Sequence, residues 1–254
     1  MIDAPRSRYQ QVADLIREAI QRGDYAPGSA LPSQPTLAGK YGINQTSIGK
    51  AIALLRREGL VRVIKGKGAY VREIPPISRY AVTRYAEAVR ESGTARGAFD
   101  AEMAQRGHES RTELVQWGET VAPQVASDAL DLTAGAKVAI RKRHMHADDV
   151  PVQIATSYVP WELAKGTAIA EQDTGSGGTY SRLAEAGHTV ERFTETIRSR
   201  MPTPEEADFL RLDEDQPVYD VLHTAWTAEG RAVEICVHVM PTTQWVLHYE
   251  WPAS

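Results

Sequence analysis

The sequence contains a single cysteine and no long hydrophobic run, and each absence excludes a class of protein. One cysteine, Cys236, cannot form an internal disulfide framework or supply a thiolate zinc cluster, and we expect it to be a small buried apolar residue. No run of about 18 apolar residues occurs, and the N-terminal MIDAPRSRYQQ lacks the apolar core of a signal peptide. We therefore expect a cytoplasmic protein that is neither inserted into a membrane nor exported.

The net charge of −4 over 254 residues hides an asymmetry along the chain. Residues 1–75 contain 12 Lys and Arg against 6 Asp and Glu, whereas residues 76–254 contain 17 against 27. A chain of this length favours two domains. A basic head on an acidic body indicates that the head binds a polyanion and the body does not.

The basic head begins with three predicted helices. Residues 9–22 repeat apolar side chains at the three-and-four spacing of one helical face. A short second helix follows Ser33, a good N-cap, and stops at Gly42; a third follows Asn44, another N-cap, and ends at Gly59. One side of the third helix is apolar and the opposite side is polar with a basic end.

Two short β-rich segments, 60–64 and 69–72, follow the helices and are joined by the tip KGKG at 65–68. Glycines at such a tip predict a hairpin, and three helices followed by a hairpin form a winged helix-turn-helix. The alternative is the phosphate-binding loop of an enzyme, which needs GxxxxGK followed by Ser or Thr before a helix. The tip lacks that hydroxyl residue and that spacing, and it enters a strand, so the enzyme loop is disfavoured.

The motifs of residues 9–71 resemble the winged-helix domain of the GntR family of bacterial transcription regulators. GSALPS precedes the helix-turn-helix, and LRREGL and GKGAYV follow its third helix. The resemblance implies that the second helix contacts phosphate, that the third reads the major groove and that the wing reaches toward the minor groove. The implied DNA-binding residues are Ser33, Gln34, Thr36, Gln45, Thr46, Ser47, Lys50, Lys65, Gly66 and Lys67.

Two positions depart from the family pattern. Members commonly carry Arg where this sequence has Gln45 and Gly49, and Arg can pair bidentately with guanine or grip phosphate. Because Gln pairs well with adenine, we expect weaker binding or an altered operator preference.

The acidic body has a mixed α and β pattern after the linker that Pro75 and Pro76 mark. We predict an α+β protein with domain boundaries at 1–73 for the winged helix, 74–96 for a linker and lead-in, and 97–254 for the second domain. The predicted strands are 112–121, 137–146, 151–159, 189–200, 218–227 and 232–240, and the predicted helices are 125–130, 179–186 and 204–212.

Blocks such as GAFDAEMAQRG, TYSRLAEAG and PEEADFLRLDEDQPVYDV make residues 97–251 similar to the UTRA module of the HutC branch. That resemblance implies a chorismate-lyase-like fold with an antiparallel sheet, an effector pocket and a dimer contact. The effector-binding residues that it implies are Phe99, Asp100, Arg141, Arg143, Tyr180 and Glu234. Arg141 and Arg143 share a face of their strand and could clamp one anion, or they could pair with Asp or Glu of the acidic body.

Three positions argue against a phosphorylated amino sugar, the best-known ligand type of this branch. Asp100 replaces a hydroxyl residue beside the phosphate, Ala155 replaces a ligand-contacting Glu, and Gly178 replaces a Ser. A carboxylate beside a phosphate repels it. His144 and His146 alternate on the opposite face of the arginine strand, where packing on the sheet or a surface position is favoured over a metal site because no third ligand is identifiable by spacing.

The sequence therefore favours a ligand-responsive repressor that binds a palindromic operator as a homodimer, with no cofactor, metal or catalytic residue. One alternative is an effector-independent repressor, such as a plasmid or transfer control protein, with a vestigial pocket. An enzyme is disfavoured because no nucleophile, base and orienting group form a recognisable set.

Overall fold

The chain divides into two units, Met1–Ile77 and Ser78–Ser254, in a computed structural model that describes residues 7–64, 66–82, 98–175, 177–213 and 215–253. No helix in these ranges is both long and apolar enough to cross a membrane. The predicted α+β class is confirmed.

The first unit follows the predicted order of three helices and a hairpin. Ser33 caps the second helix, Asn44 caps the third, and Gly42 ends the second in the left-handed conformation that glycine favours. The apolar sides of the helices meet in one core that includes Ile16, Leu37 and Ile48. The elements are α1 (Arg8–Gln21), α2 (Gln34–Tyr41), α3 (Gln45–Arg57), β1 (Val61–Ile64) and β2 (Gly68–Val71).

The wing has a third extended segment that the sequence did not predict. β1 and β2 pair antiparallel, and residues 29–31 lie along the other edge of β2. The amide of Leu31 donates to the carbonyl of Ala69 at 2.8 Å, and the amide of Val71 donates to Ser29 at 2.9 Å. Both edges of β2 are therefore paired, which fixes the base of the wing.

The second unit is built on a six-stranded antiparallel sheet with the order β4-β5-β6-β9-β8-β7. Each predicted strand is present, with ends within a few residues of the prediction. In chain order the strands are β3 (Ile77–Tyr80), β4 (Ser110–Val121), β5 (Lys137–Ala147), β6 (Val150–Pro160), β7 (Arg192–Arg200), β8 (Val218–Trp226), β9 (Ala232–Pro241) and β10 (Trp245–His248).

Helices cover both faces of this sheet. Leu130 and Leu210 pack against one face, and Leu163, Ile169 and Leu183 pack against the other. The helices are α4 (Ala98–Gln105), α5 (Gln124–Leu130), α6 (Trp161–Ala164), α7 (Gly178–Glu185) and α8 (Pro204–Leu210), with a 3-10 turn at Ala168–Ala170.

Part of the segment predicted as linker and lead-in is a strand. β3 pairs with β10 in a separate two-stranded sheet, and α4 was not predicted either. The pairing of β3 depends on residues near the other end of the chain, whereas the local pattern is dominated by Pro75 and Pro76. Residues 83–97, the rest of the predicted lead-in, lie outside the described residues.

Candidate DNA-binding and effector sites

α3 exposes the residues that were predicted to read DNA. Gln45, Thr46 and Lys50 are exposed and Ser47 is half-buried, while Ile48 on the other side is fully buried. The cap fixes the start of the helix, because Oδ1 of Asn44 accepts a hydrogen bond from the amide of Ser47 at 2.8 Å. The first turn of α3 is thus a rigid, polar surface.

The start of α2 lies beside α3. Ser33, Gln34 and Thr36 are exposed, and Oγ of Ser33 lies 2.8 Å from Oγ1 of Thr36. A Cβ placed on Gly49 would lie 3.9 Å from the side-chain amide of Gln34, so these two residues are neighbours. The residues predicted to contact phosphate and those predicted to read bases therefore belong to one continuous surface.

Two lysines of this unit, Lys50 and Lys67, are available for phosphate contacts, whereas several of its arginines form ion pairs. Arg17 pairs with Glu58 at 2.7 Å and Arg62 pairs with Glu73 at 2.5 Å. Lys50 and the wing residue Lys67 are exposed and form no ion pair with any residue that the structure describes. Exposed, unpaired lysines suit phosphate binding.

Glycines shape the tip of the wing. Gly66 (φ 77°) and Gly68 (φ 118°) adopt backbone conformations that other residues disfavour, and the amide of Lys67 donates to the carbonyl of Ile64 at 2.9 Å. Gly66 and Lys67 are exposed at the turn, whereas Lys65 lies outside the described residues.

In the second unit, one row of cross-strand neighbours carries an unusual set of polar side chains. Arg141 pairs with Ser157, Ser157 with Cys236, Cys236 with His223, and His223 with Glu195. Directly opposed residues of antiparallel strands point to the same side of the sheet. We call the side defined by these five residues the polar face.

Arg141 holds the loop that follows the 3-10 turn. Its Nη1 donates to the carbonyls of Ile169 and Glu171, and its Nη2 donates to the carbonyl of Gln172 at 3.0 Å. Burial, and then the nearby positive charge of Arg143, lower the pKa of Arg141. The predicted pairing of Arg141 with a ligand stays a prediction, since these donors already bind backbone carbonyls.

Arg143 lies on the same face but has no carboxylate partner among the described residues. Its Nη2 donates to Oγ of Ser157 at 2.6 Å and lies 3.7 Å from Sγ of Cys236. Across the sheet it faces Ala155, which in turn faces His238. The small side chain of Ala155 thus stands where a carboxylate could have paired with Arg143.

Glu234 is buried at the same face of β9. Glu234 is 4% exposed, and its Oε2 has no hydrogen-bond partner in the part of the chain that the structure describes. It faces Ala225 across the sheet. A buried carboxylate oxygen without a donor is costly.

Glu195, at the end of the polar row, anchors β3. Nη1 of Arg79 donates to Oε2 of Glu195 at 2.9 Å and Nη2 donates to Oε1, while the hydroxyl of Tyr249 donates to Oε2 at 2.8 Å. Nδ1 of His223 lies 3.0 Å from Oε1 and must carry its proton, because a carboxylate can only accept. Burial raises the pKa of Glu195, but the hydrogen bonds from His223 and Arg79 outweigh it and hold the pKa well below its usual range.

Sequence reasoning missed this network. Arg79 falls in the predicted linker and lies 116 residues from Glu195, so no local spacing connects them. The one available signal was a positive charge three residues after Pro76, and it did not distinguish an anchor from a solvated residue.

The remaining predicted effector residues are Tyr180, Phe99 and Asp100, and they lie outside the row that defines the polar face. Tyr180 packs against Phe193, with ring centroids 5.4 Å apart. Phe99 is buried in α4, and Asp100 accepts a hydrogen bond from the hydroxyl of Ser110 at 2.8 Å. Ser110 lies opposite Ala147, several residues along β5 from Arg143.

Gly178 has a backbone reason to be glycine. Its φ is 67° at the first position of α7, a conformation that serine rarely adopts. The preceding Gly177 has φ 80°, and a Cβ there would lie 2.0 Å from Oγ of Ser181. The backbone conformation of the turn that starts α7 therefore explains why residue 178 is glycine and not serine.

The two histidines of β5 pack against a helix, as predicted. The ring of His144 stacks on Phe209 of α8 at 3.8 Å, and His146 meets the same ring edge-on. Burial lowers the pKa of both. Within the described residues, no group of three His, Cys, Asp or Glu could hold a metal ion.

A cleft of about 850 Å³ lies away from the predicted site. Trp161 and Trp226 line it, together with Arg231, which pairs with Glu162. None of the predicted effector residues lines it. Arg141, Arg143 and Glu234 lie instead on the polar face.

Comparisons with known proteins match both units. Residues 8–71 match the bacterial regulatory proteins of the gntR family, and residues 105–245 match the UTRA domain. An HTH-type transcriptional regulator of Streptomyces coelicolor is 32% identical over 98% of this chain and 94% of its own. The histidine utilization repressor of Pseudomonas aeruginosa is 25% identical over 89% of this chain and 84% of its own. A crystal structure of a GntR-family transcriptional regulator is 26% identical, with a TM-score of 0.62 over 98% of this chain and 99% of that one.

Proposed function

Because the chain belongs to the GntR family of bacterial transcription regulators and carries a UTRA domain, we propose that it is a ligand-responsive repressor that binds a palindromic operator as a homodimer. The family is one of DNA-binding regulators and not of enzymes. The name of the Pseudomonas aeruginosa relative supports repression. Such a protein acts in the cytoplasm, with the DNA that it regulates.

The observation that carries this proposal is the exposed polar surface of α3. Gln45, Thr46 and Lys50 are exposed on a capped helix whose other side is buried. Side chains of this kind can enter the major groove while the apolar side holds the domain together. The unpaired Lys67 at the wing suits the adjacent phosphates.

Operator geometry supports the homodimer. One reading helix covers only a half-site, and two copies related by a two-fold axis match an inverted repeat. We expect half-sites about 10 base pairs apart, centre to centre, or a multiple of that spacing.

The polar face supports a small-molecule response. Among the residues that the structure describes, Arg143 has no carboxylate partner and the buried Oε2 of Glu234 has no hydrogen-bond donor. Groups left unsatisfied inside a protein are typical of a ligand site. The alternative of an effector-independent repressor draws support from Ala155, which removes a side chain that contacts ligands in similar proteins.

The DNA part is tested by selecting genomic fragments with the full-length protein and measuring affinity by fluorescence anisotropy. We expect an inverted repeat bound by two copies of the chain. Lys50→Gln combined with Lys67→Gln should weaken binding, while Lys137→Gln, on the second unit, should not. Tight binding of one copy to a single half-site would contradict the homodimer.

The response is tested on the selected operator with a library of small metabolites. We expect at least one compound to change the affinity for DNA several-fold. If compounds bind the protein, as judged by thermal stability, and none changes its affinity for DNA, the effector-independent alternative is correct.

A further inference from the structure

The charged groups of the polar face restrict what the effector can be, provided that the proposed ligand response holds. Arg143 of β5 and Glu234 of β9 carry opposite charges on one face of the sheet, and β6 lies between their strands. Neither forms an ion pair with any described residue, and their charged groups do not approach within 4.0 Å of each other. The polar face therefore carries two oppositely charged groups, and neither has an ionic partner among the described residues.

Register brings the two groups close together. Nη2 of Arg143 lies 3.7 Å from Sγ of Cys236. Glu234 precedes Cys236 by two residues on β9, so it lies on the same face and about 6–7 Å along the strand. The guanidinium and the carboxylate therefore flank one small area of the sheet, whose floor includes Ser157 and Cys236.

The buried polar atoms of Arg143 and Glu234 that lack a hydrogen-bond partner are of opposite types. Nε of Arg143 is a buried donor atom and Oε2 of Glu234 is a buried acceptor atom, and neither has a hydrogen-bond partner within the described ranges. A ligand that satisfies both must offer an acceptor or anion at one end and a donor or cation at the other. Glu234 is buried and Arg143 is half-buried, and a charge removed from water without an ionic partner is costly, so a ligand that satisfies one group alone leaves the other without such a partner.

The number of guanidinium groups available at this face argues against an effector that carries a doubly negative group such as a phosphate. The donors of Arg141 bind the carbonyls of Ile169, Glu171 and Gln172, which leaves one guanidinium for an anionic group. The carboxylate of Glu234 repels a phosphate placed beside that guanidinium. A monoanionic carboxylate matches the single available arginine.

We propose that the effector is a small zwitterion of the amino-carboxylate class, whose carboxylate binds Arg143 and whose protonated amine binds Glu234. The site would discriminate against the matching amine, which leaves the half-buried Arg143 without an anion, and against the matching carboxylate, which leaves the buried Glu234 without a cation. Ala155, by withholding a protein carboxylate from Arg143, keeps the guanidinium available.

The ligand-binding test uses the full-length protein and a matched panel of probes. The panel contains the standard L-amino acids and the ω-amino carboxylates from glycine to 6-aminohexanoate, each with its decarboxylated amine and its deaminated carboxylate. Glucosamine 6-phosphate represents a dianion. We expect at least one zwitterion at about 100 times its Kd to raise the Tm by about 5 °C, and its two truncated partners to have no effect.

Two variants test which residue binds which end of the ligand. Arg143→Gln and Glu234→Gln should each weaken binding of the responding zwitterion about 10- to 100-fold. Glu234→Gln should also reduce the preference for the zwitterion over the deaminated carboxylate. Glu205→Gln, which removes an exposed carboxylate paired with Lys142, is the matched control and should bind normally.

Ligand-free stability gives an independent measurement. If Glu234 is an uncompensated charge that awaits a ligand, Glu234→Gln should raise the ligand-free Tm, by about 2–4 °C. A lower Tm for this variant would mean that Glu234 is a structural partner, and would overturn the inference.

The outcomes separate this inference from the proposed ligand response. A dianion that binds and changes DNA affinity, with no zwitterion binding, overturns the inference and leaves the response intact. A zwitterion that binds through Arg143 and Glu234 without changing DNA affinity supports the inference and refutes the response. A panel in which nothing binds overturns the inference.

Discussion

The two units of the chain place their polar groups in opposite ways. All thirteen buried polar or charged residues in the described ranges belong to the second unit, and none belongs to the first. The DNA-binding unit has a wholly apolar core and presents its polar groups to solvent. The UTRA unit, in contrast, buries Arg, Glu and His side chains at its sheet.

This difference predicts how each unit tolerates change. In the first unit, polar substitutions on the surface should alter DNA binding and leave stability nearly unchanged. In the second unit, the same types of substitution should alter stability, because buried charges depend on one another.

The largest expected effect comes from breaking the network at β3. Arg79 is fully buried and Glu195 is 9% exposed at the side chain, so Arg79→Ala should reduce the free energy of unfolding of the second unit by about 3–5 kcal/mol. Urea titration followed by tryptophan fluorescence measures this. Arg231→Ala, which breaks the exposed pair with Glu162, should cost about 0–1 kcal/mol. Equal losses in the two variants would contradict the difference between buried and exposed pairs.

Acid should weaken the same network to a smaller extent. The pKa of Glu195 is lower in the folded protein than its ordinary value of 4.5, so its contribution to stability is complete above about pH 4.5. That contribution is lost as the pH falls below 4.5 toward the folded pKa, because the unfolded chain binds the proton first. Urea titrations between pH 7 and pH 3 should show a steeper loss in the natural protein than in Glu195→Gln. Parallel curves would show that Glu195 does not supply the acid sensitivity.

On the DNA side, loss of one lysine should have a moderate effect and leave stability unchanged. Lys50→Gln and Lys67→Gln should each lower affinity by about 1 kcal/mol and reduce the slope of log K against log salt by about 1. If these lysines contact phosphate only, specific and nonspecific DNA should be affected about equally. A loss confined to one operator sequence would instead indicate a base contact.

The smallest expected effects come from adding charge at the two positions that depart from the family. Gln45→Arg and Gly49→Arg should strengthen DNA binding by up to about 1 kcal/mol and steepen its salt dependence. A Cβ at Gly49 meets only Gln34, at an ordinary 3.9 Å, so the substitution should fit. Operator selection should also show whether Gln45 favours adenine where Arg favours guanine. If operator selection with the natural protein returns the half-site that is common in the family, the predicted change in operator preference is wrong.

Local patterns predicted most of the fold. The N-caps Ser33 and Asn44 and the helical spacing of α1 and α3 are short-range signals, and the structure confirms the elements they mark. Alternation on β5 likewise placed Arg141 and Arg143 on one face. These features depend on residues a few positions apart, which a single sequence displays directly.

Long-range pairing accounts for what was missed. β3 pairs with β10 from the far end of the chain, residues 29–31 join β2 across the whole helix-turn-helix, and Arg79 reaches Glu195. The carbonyl partners of Arg141 come from an irregular loop that has no period to detect. In each case the deciding contact is specified by the folded topology and by no local repeat.

The anchoring of β3 also determines where one DNA-binding unit could be exchanged for another. On one side, Glu73 still belongs to the first unit through its ion pair with Arg62. On the other, the carbonyl of Ser78 accepts a hydrogen bond from Arg106, and Arg79 is held by Glu195. A hybrid regulator built from two relatives therefore has only residues 74–76 in which to join its halves without cutting either set of contacts.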